Sequence, residues 1–343
     1  MRNGRHVVLA CDESGAKGYA DQDEAQVGEV GVFAGILIPQ QEREAEARPE
    51  FQAIYNRYKP ATGKLHIAHL TPKQQETLRQ DVYDAVRKWH LPCFWYAIHV
   101  AGLHDWHKVY AKLIDDARKA AEALPKGSSD IRRGSPREQP ASLHVELFDG
   151  LYAHLVAFLA ERDCVETVVE IRTDQVDSPI VAQFEHVARR LLSQDPLLSK
   201  VKGYNMVTKT PVEGTIEIRI DYPPEMQFAS VVKGLTINTT GDGDGYVLAA
   251  DVLANSLNHL FMHRDASELY GPLNRQEAIA KHPLADCLSS FGDWGTGDLL
   301  GDRLYSPTQQ AGLETSPSST VHTQQAGSLT RGPICLGTVG RVR

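Results

Sequence analysis

The chain has 343 residues, 42% hydrophobic and 23% charged, the balance of a globular protein able to bury a substantial core. Its net charge of −8 argues against a protein that coats nucleic acid indiscriminately, while leaving room for an acidic metal site beside a local basic track. No stretch approaches the roughly 20 uninterrupted apolar residues of a membrane helix and no signal core follows the first residues, so the expected location is cytoplasmic.

Residues 5–11 (RHVVLAC) read as a short buried strand ending in the acidic turn Asp12-Glu13-Ser14-Gly15. The β-branched run 27–39, closed by a proline, is expected to be a second strand antiparallel to the first, with Gly31 and Gly35 marking bends or a close backbone approach. Thr71 followed by Pro72 signals a helix start, and Leu78, Val82 and Val86 carry an apolar stripe to about Trp89. Residues 91–102 form a third strand and 105–124 another amphipathic helix.

The Pro-, Gly-, Ser- and Arg-rich stretch 125–141 is expected to be a flexible insertion within one domain, because the pattern resumes beyond it. A helix over 142–163, a strand over 165–173, a helix over 179–193 capped by Ser178, strands over 201–209 and 215–220, and a helix over 246–263 follow. Residues 1–292 are therefore expected to be one α/β domain with a mixed sheet flanked by helices. Residues 303–343, poor in apolar side chains, read as a disordered tail. The five cysteines are scattered and include no Cys-x-x-Cys pair, which suggests neither a disulfide framework nor structural zinc.

Asp12 and Glu13 place charge at the end of a buried strand, which is costly unless a metal or partner compensates it; a plain turn is the other reading of Asp-Glu-Ser-Gly. Asp174 closes the strand 165–173, with Glu170 on the same face, and either serves as a second carboxylate. Asp251 interrupts an otherwise apolar helix. Carboxylates drawn from several elements suit Mg2+ or Mn2+ and metal-assisted phosphodiester hydrolysis. Residues 240–245 superficially resemble a calcium loop, but Leu253 stands where the closing glutamate is needed, and a hinge is the preferred reading. Basic residues cluster at Arg132, Arg133 and Arg137 and at Lys200, Lys202 and Lys209. No Gly-x-Ser-x-Gly elbow, Walker loop or dinucleotide fingerprint is present.

The opening strand with Asp12-Glu13-Ser14-Gly15, the Gly-bearing second strand, the segment Leu65-His66-Ile67-Ala68-His69-Leu70 and the helix start Ala250-Asp251-Val252-Leu253-Ala254 together resemble a large bacterial family of unknown function. A ribonuclease-H-like fold is expected for that family. The resemblance spans roughly residues 6–263. It implies acidic residues on the first strand, a later central strand and a final helix, here Asp12, Asp174 and Asp251; the residues themselves offer Glu13 or Glu170 as a further ligand and His66 as a catalytic group assisting as general acid. It also implies a nucleic-acid partner, RNA or DNA. This chain departs from the family at Leu65, where a glutamate usually precedes the motif histidine. That departure supports the competing expectation, a non-catalytic adaptor that binds nucleic acid or protein on the same fold. A nucleotide phosphotransferase ranks last, since only the Gly241 hinge offers a phosphate loop.

Overall fold

The structure, a computed structural model, describes residues 5–16, 23–39, 41–63, 65–123, 131–133, 142–174, 176–193, 197–218, 228–240 and 243–289. Its centre is a mixed sheet whose middle strand is β1 (His6–Gly15). On one side β1 pairs antiparallel with β2 (Val30–Ile38), which pairs antiparallel with β3 (Cys93–His99). On the other, β1 pairs in parallel with β5 (Thr167–Thr173), and β5 in parallel with β8 (Val232–Thr239). The two-residue β9 (Leu288–Ser289) extends the sheet beyond β3. The chain is thus α/β with a mixed sheet, as its element pattern predicts.

Strand alternation divides the core in two. Val8 and Ala10 of β1 and Val32, Ala34 and Ile36 of β2 face the helices α1 (Gln41–Tyr58), α2 (Pro72–Trp89) and α6 (Gly245–Met262). Val7, Leu9 and Cys11 with Phe33 and Leu37 face α4 (Leu143–Glu161) and α5 (Ser178–Leu192). Because β2 is covered on both faces, all nine of its residues are buried, which explains its continuous apolar run. Helix α4 has the length and apolar content of a membrane span, yet most of it is buried against the sheet and α5, where Phe148 stacks on Phe184 at 4.0 Å.

Most expected elements lie within a few residues of their observed bounds, and four differences are informative. First, β1 does not stop at Cys11: its pairing continues through Asp12↔Ala34 and Glu13↔Phe33 to Gly15↔Gly31, so the acidic motif is strand, not turn. Second, α1 and β8 have no counterpart in the sequence reading. Third, α3 (Val100–Ala123) begins directly at the end of β3 rather than after a loop. Fourth, α5 starts one residue earlier than expected, so Asp177 and not Ser178 stands at its N-cap position, without a side-chain cap hydrogen bond. Thr71 does cap α2, with its side chain accepting from Gln74 N and the Gln74 side chain accepting from Thr71 N.

Within the stretch 125–141, residues 131–133 form β4 (Ile131–Arg133), which pairs antiparallel with β6 (Leu197–Asn205). β6 in turn forms a hairpin with β7 (Thr210–Ile218), giving a separate three-stranded ribbon. The expected tail, 303–343, lies outside the described residues.

The outer edge of β3 is covered by the segment 271–289. Cys93 N donates to Cys287 O (2.8 Å), and Trp95 Nε1 donates to Leu273 O (3.0 Å). The Asn274 side chain accepts from Ala97 N (2.7 Å) and donates to Ala97 O (2.9 Å), so one amide replaces a strand residue. His282 anchors the same segment: its Nδ1 accepts from Leu284 N (3.1 Å), which leaves Nε2 to donate to Ser256 Oγ on α6 (2.8 Å).

Candidate functional site

The parallel register sets one end of the sheet. Cys11 pairs with Thr173 and Thr173 with Thr239, so one further step brings Asp12, where β1 leaves its parallel partner, beside Asp174 and Thr240 just past the carboxyl ends of β5 and β8. Crevices outside the carboxyl ends of strands are where open α/β sheets bind ligands. Thr240 closes this edge: its backbone N (2.9 Å) and Oγ1 (3.2 Å) both donate to Thr173 O.

Helix α6 crosses this end of the sheet on the side of Asp12. Its placement depends on two glycines. Gly15, at φ +85°, lies so close to α6 that an added Cβ would stand 2.3 Å from Asn258 Nδ2, while Asn258 donates to Val30 O at 2.8 Å. At the helix start, a Cβ on Gly245 would stand 2.4 Å from Phe51 O of α1. Asp251 lies seven residues before Asn258, two turns along the same helix face, and therefore meets the strand carrying Asp12. Its Oδ2 accepts from Ile67 N (3.2 Å), tying the single helical turn Ile67–His69 to α6.

The result is a cleft of about 330 Å3, including its solvent-open part, lined by Asp12, Asp174, Asp244 and Asp251 together with His66, Leu65, Tyr55 and Thr240. Asp12 is 5% exposed and accepts from Glu13 N at 3.0 Å. Burial, then the Glu13 charge, then the Asp251 charge push its carboxyl well above the usual carboxylate range. Asp244 is a cleft residue that the sequence reading took only as part of a hinge. It caps α6, accepting from Tyr246 N at 2.8 Å, and the signal was present in an aspartate immediately before an apolar helix. The loop 240–245 thus serves as a helix entry; residues 241 and 242 lie outside the described residues.

Asp12, Asp174, Asp251 and His66, picked from the sequence, are brought together; Glu13 and Glu170 are not. By strand alternation Glu13 falls on the opposite face of the sheet from Asp12. Its carboxylate lies 3.4 Å from His144 Nε2, both side chains being nearly buried at 10% and 8% exposure. Glu170 shares the face of Asp174 but sits four residues down the strand. It accepts from Arg172 Nε (2.7 Å) and Asn238 Nδ2 (3.1 Å). Burial pushes the Glu170 carboxyl up, but Arg172 outweighs it and holds the group below the usual range. Arg172 also donates to Glu44 of α1 at 2.6 Å, so Glu170 belongs to an ion-pair network that fastens α1 to the sheet.

The lining includes no lysine or arginine; Lys64, beside Leu65, lies outside the described residues. Four carboxylates at one cleft, one of them buried among like charges, form a hard-oxygen donor set suited to Mg2+ or Mn2+. As placed, no three His, Cys, Asp or Glu side chains among the described residues close on a single point. Leu65 is buried and forms part of the wall, which puts an apolar side chain in the cleft itself. No protein-family model, no curated protein and no solved structure matches this chain.

Proposed function

We propose that this chain is a nuclease of ribonuclease-H-like architecture that hydrolyses phosphodiester bonds of RNA or DNA. The observation carrying the proposal is the meeting of Asp12, Asp174 and Asp251 at one cleft. They come from the central strand, the end of its parallel neighbour and the last long helix, the three places the resemblance implies. These three, with Asp244, would hold Mg2+ or Mn2+, which when bound activates water and stabilises the leaving oxygen. The chain's own contributions are separable. Asp12 supplies a buried carboxylate, Asp251 orients the turn carrying His66 through Ile67 N, and Thr240 with Thr173 fixes the strand ends. His66 lines the same cleft and is the nearest candidate to move a proton to the leaving oxygen.

The second reading, an adaptor that binds nucleic acid or protein without cleaving it, is favoured by one observation: Leu65 narrows the donor set by presenting a hydrocarbon wall. One experiment separates the two. Labelled RNA, DNA and hybrid substrates are incubated with Mn2+ and either wild type or Asp12→Ala, whose fold is checked by circular dichroism. Calorimetric titration with Mn2+ runs in parallel. The nuclease reading expects cleavage and Mn2+ binding that both vanish in a folded variant. Wild-type cleavage by Asp12→Ala would remove Asp12 from the mechanism, and absence of both activity and Mn2+ binding in wild type would leave the adaptor.

A further inference from the structure

The last turn of α6 carries two histidines four residues apart: His259 and, at the helix C-cap position, His263. Residues at i and i+4 of a helix stand one above the other on one face. Here the two imidazoles stack, with ring centres 3.9 Å apart and planes 17° from parallel. Both side chains are exposed. The pair is separate from the cleft, since neither residue lines it. Along the helix axis His259 lies about 12 Å beyond Asp251.

The hydrogen bonding of His263 fixes the state of its ring. His259 O accepts from both the backbone N (3.2 Å) and the ring Nδ1 (2.8 Å) of His263. A carbonyl has no proton to give, so Nδ1 carries the hydrogen and, in the neutral ring, Nε2 carries the lone pair. Metal-binding histidines are held in this way: the second ring nitrogen donates to a carbonyl or carboxylate, which sets the tautomer and orients the ring.

Donor chemistry then selects the ion. Imidazole suits copper, nickel and zinc, whereas Mg2+ and Mn2+ prefer the oxygen donors of the cleft. Among the described residues no third His, Cys, Asp or Glu closes on the pair, so the four protein ligands of a structural zinc site are not assembled there. Two nitrogens on one helix face, with water completing the shell, match the tetragonal preference of Cu2+, which also heads the affinity order of the divalent first-row ions.

We propose that His259 and His263 form a surface site for a divalent transition-metal ion, Cu2+ foremost, bound through Nε2 of His263 and the imidazole of His259. An ion held there bridges the last turn of α6, the helix that carries Asp251, and stabilises that helix end. The site does not depend on the nuclease reading. Its test uses the full chain, titrated with Cu2+ against glycine as competing chelator, with electron paramagnetic resonance spectra taken at one equivalent. Wild type is compared with His259→Gln, His263→Gln and Asp12→Ala, and with His186→Gln, which removes an exposed histidine of α5. Circular dichroism checks that each variant is folded.

Wild type is expected to bind one Cu2+ more tightly than any further equivalent, with coupling to two imidazole nitrogens in the spectrum. His259→Gln and His263→Gln are each expected to weaken that binding at least about tenfold, because losing even an outer-shell partner of a metal ligand costs about 10- to 100-fold. Each should also reduce the coupling to one nitrogen. Asp12→Ala and His186→Gln are expected to keep both properties. Ni2+, which leaves thiols unoxidised, should raise the melting temperature of wild type and Asp12→Ala but not of His263→Gln. Unchanged Cu2+ affinity in the two folded α6 variants would overturn the proposal, as would loss of the tight equivalent in Asp12→Ala or His186→Gln. Should the α6 variants not fold, the wild-type spectrum decides, and coupling to fewer than two nitrogens refutes the pair. Because the cleft and the histidine pair take different ions, failure of Mn2+ binding at the cleft leaves this site standing, and the reverse holds equally.

Discussion

Asp12 is held among groups that oppose its charge: burial first, then Glu13 and Asp251. Its folded-state pKa is raised, so the stability linked to this group is present below the unfolded value and is lost as pH rises through the folded one. Near neutral pH without metal, its ionised form costs stability. Asp12→Asn is therefore expected to raise the melting temperature in EDTA by a few degrees and to abolish the further rise that Mn2+ gives wild type, as scanning calorimetry would show. A variant that melts lower in EDTA, or keeps the Mn2+ increment, would contradict this account. Asp251→Asn keeps an oxygen able to accept from Ile67 N while removing one of the charges acting on Asp12. It is expected to leave stability in EDTA unchanged or slightly higher and to weaken Mn2+ binding at least about tenfold, a loss of about 1.4 kcal/mol or more in binding. Asn255→Asp should not rescue it, because Asn255 bonds Arg79 (2.9 Å) and is not among the residues lining the cleft.

Helix α6 is the element on which the cleft depends, and its two close approaches are testable. Gly245→Ala forces a methyl against the backbone of α1 and is expected to cost about 1–3 kcal/mol in chemical denaturation. Gly234→Ala on β8, where the nearest atoms stand at an ordinary 3.8 Å, should stay within about 0.5 kcal/mol of wild type. Equal effects would mean that α6 tolerates displacement. The same element shows how much was legible in advance. Asp251 was conspicuous as a carboxylate in an apolar helix, and Asp12 as one on a buried strand, because burial makes charge anomalous. Helix α1 escaped because QEREAEARPEFQAIYNRY is mostly polar or charged and contains Pro49, so its buried stripe, Ala47, Phe51, Ile54 and Tyr55, is thin. Strand β8, with a largely half-buried or exposed pattern, lacks the alternation that identifies a strand. The opposite facing of Glu13 followed from strand geometry once Asp12 was known to be in β1. Reading the motif as a turn concealed it. Nothing local encodes the pairing of β4 with β6, because register between distant segments is set by tertiary contact.

At the scale of the whole molecule, burial of histidine on both sides of the sheet sets a pH limit. His282 is packed beneath α6 and His154 beneath β3 on the other face, while His99 donates from Nε2 to Gly271 O at 3.0 Å; burial pushes all three down to about 4. Their folded values lie below the unfolded value, so the stability they contribute is present above about pH 6.5 and is lost as pH falls through about 4. Each could cost on the order of 3 kcal/mol at full protonation. Denaturant midpoints measured from pH 7 to 4.5 are expected to fall steadily, and His282→Gln, which preserves the accepting and donating positions, should flatten the slope. A midpoint independent of pH across that range would show that these imidazoles are not held neutral.

The covering of β3 by segment 271–289 has a consequence for self-association. The strand reads CFWYAIH, with no charge at neutral pH, no proline and three aromatics in succession, the composition of a segment that recruits identical strands when its backbone is bare. Asn274, by bonding both backbone groups of Ala97, keeps that ladder from being offered to a second molecule. Asn274→Ala should therefore matter less to the melting temperature than to turbidity. Concentrated solutions held below the melting point are expected to form thioflavin-positive aggregates at a rate rising steeply with protein concentration, and wild type under the same conditions to stay clear.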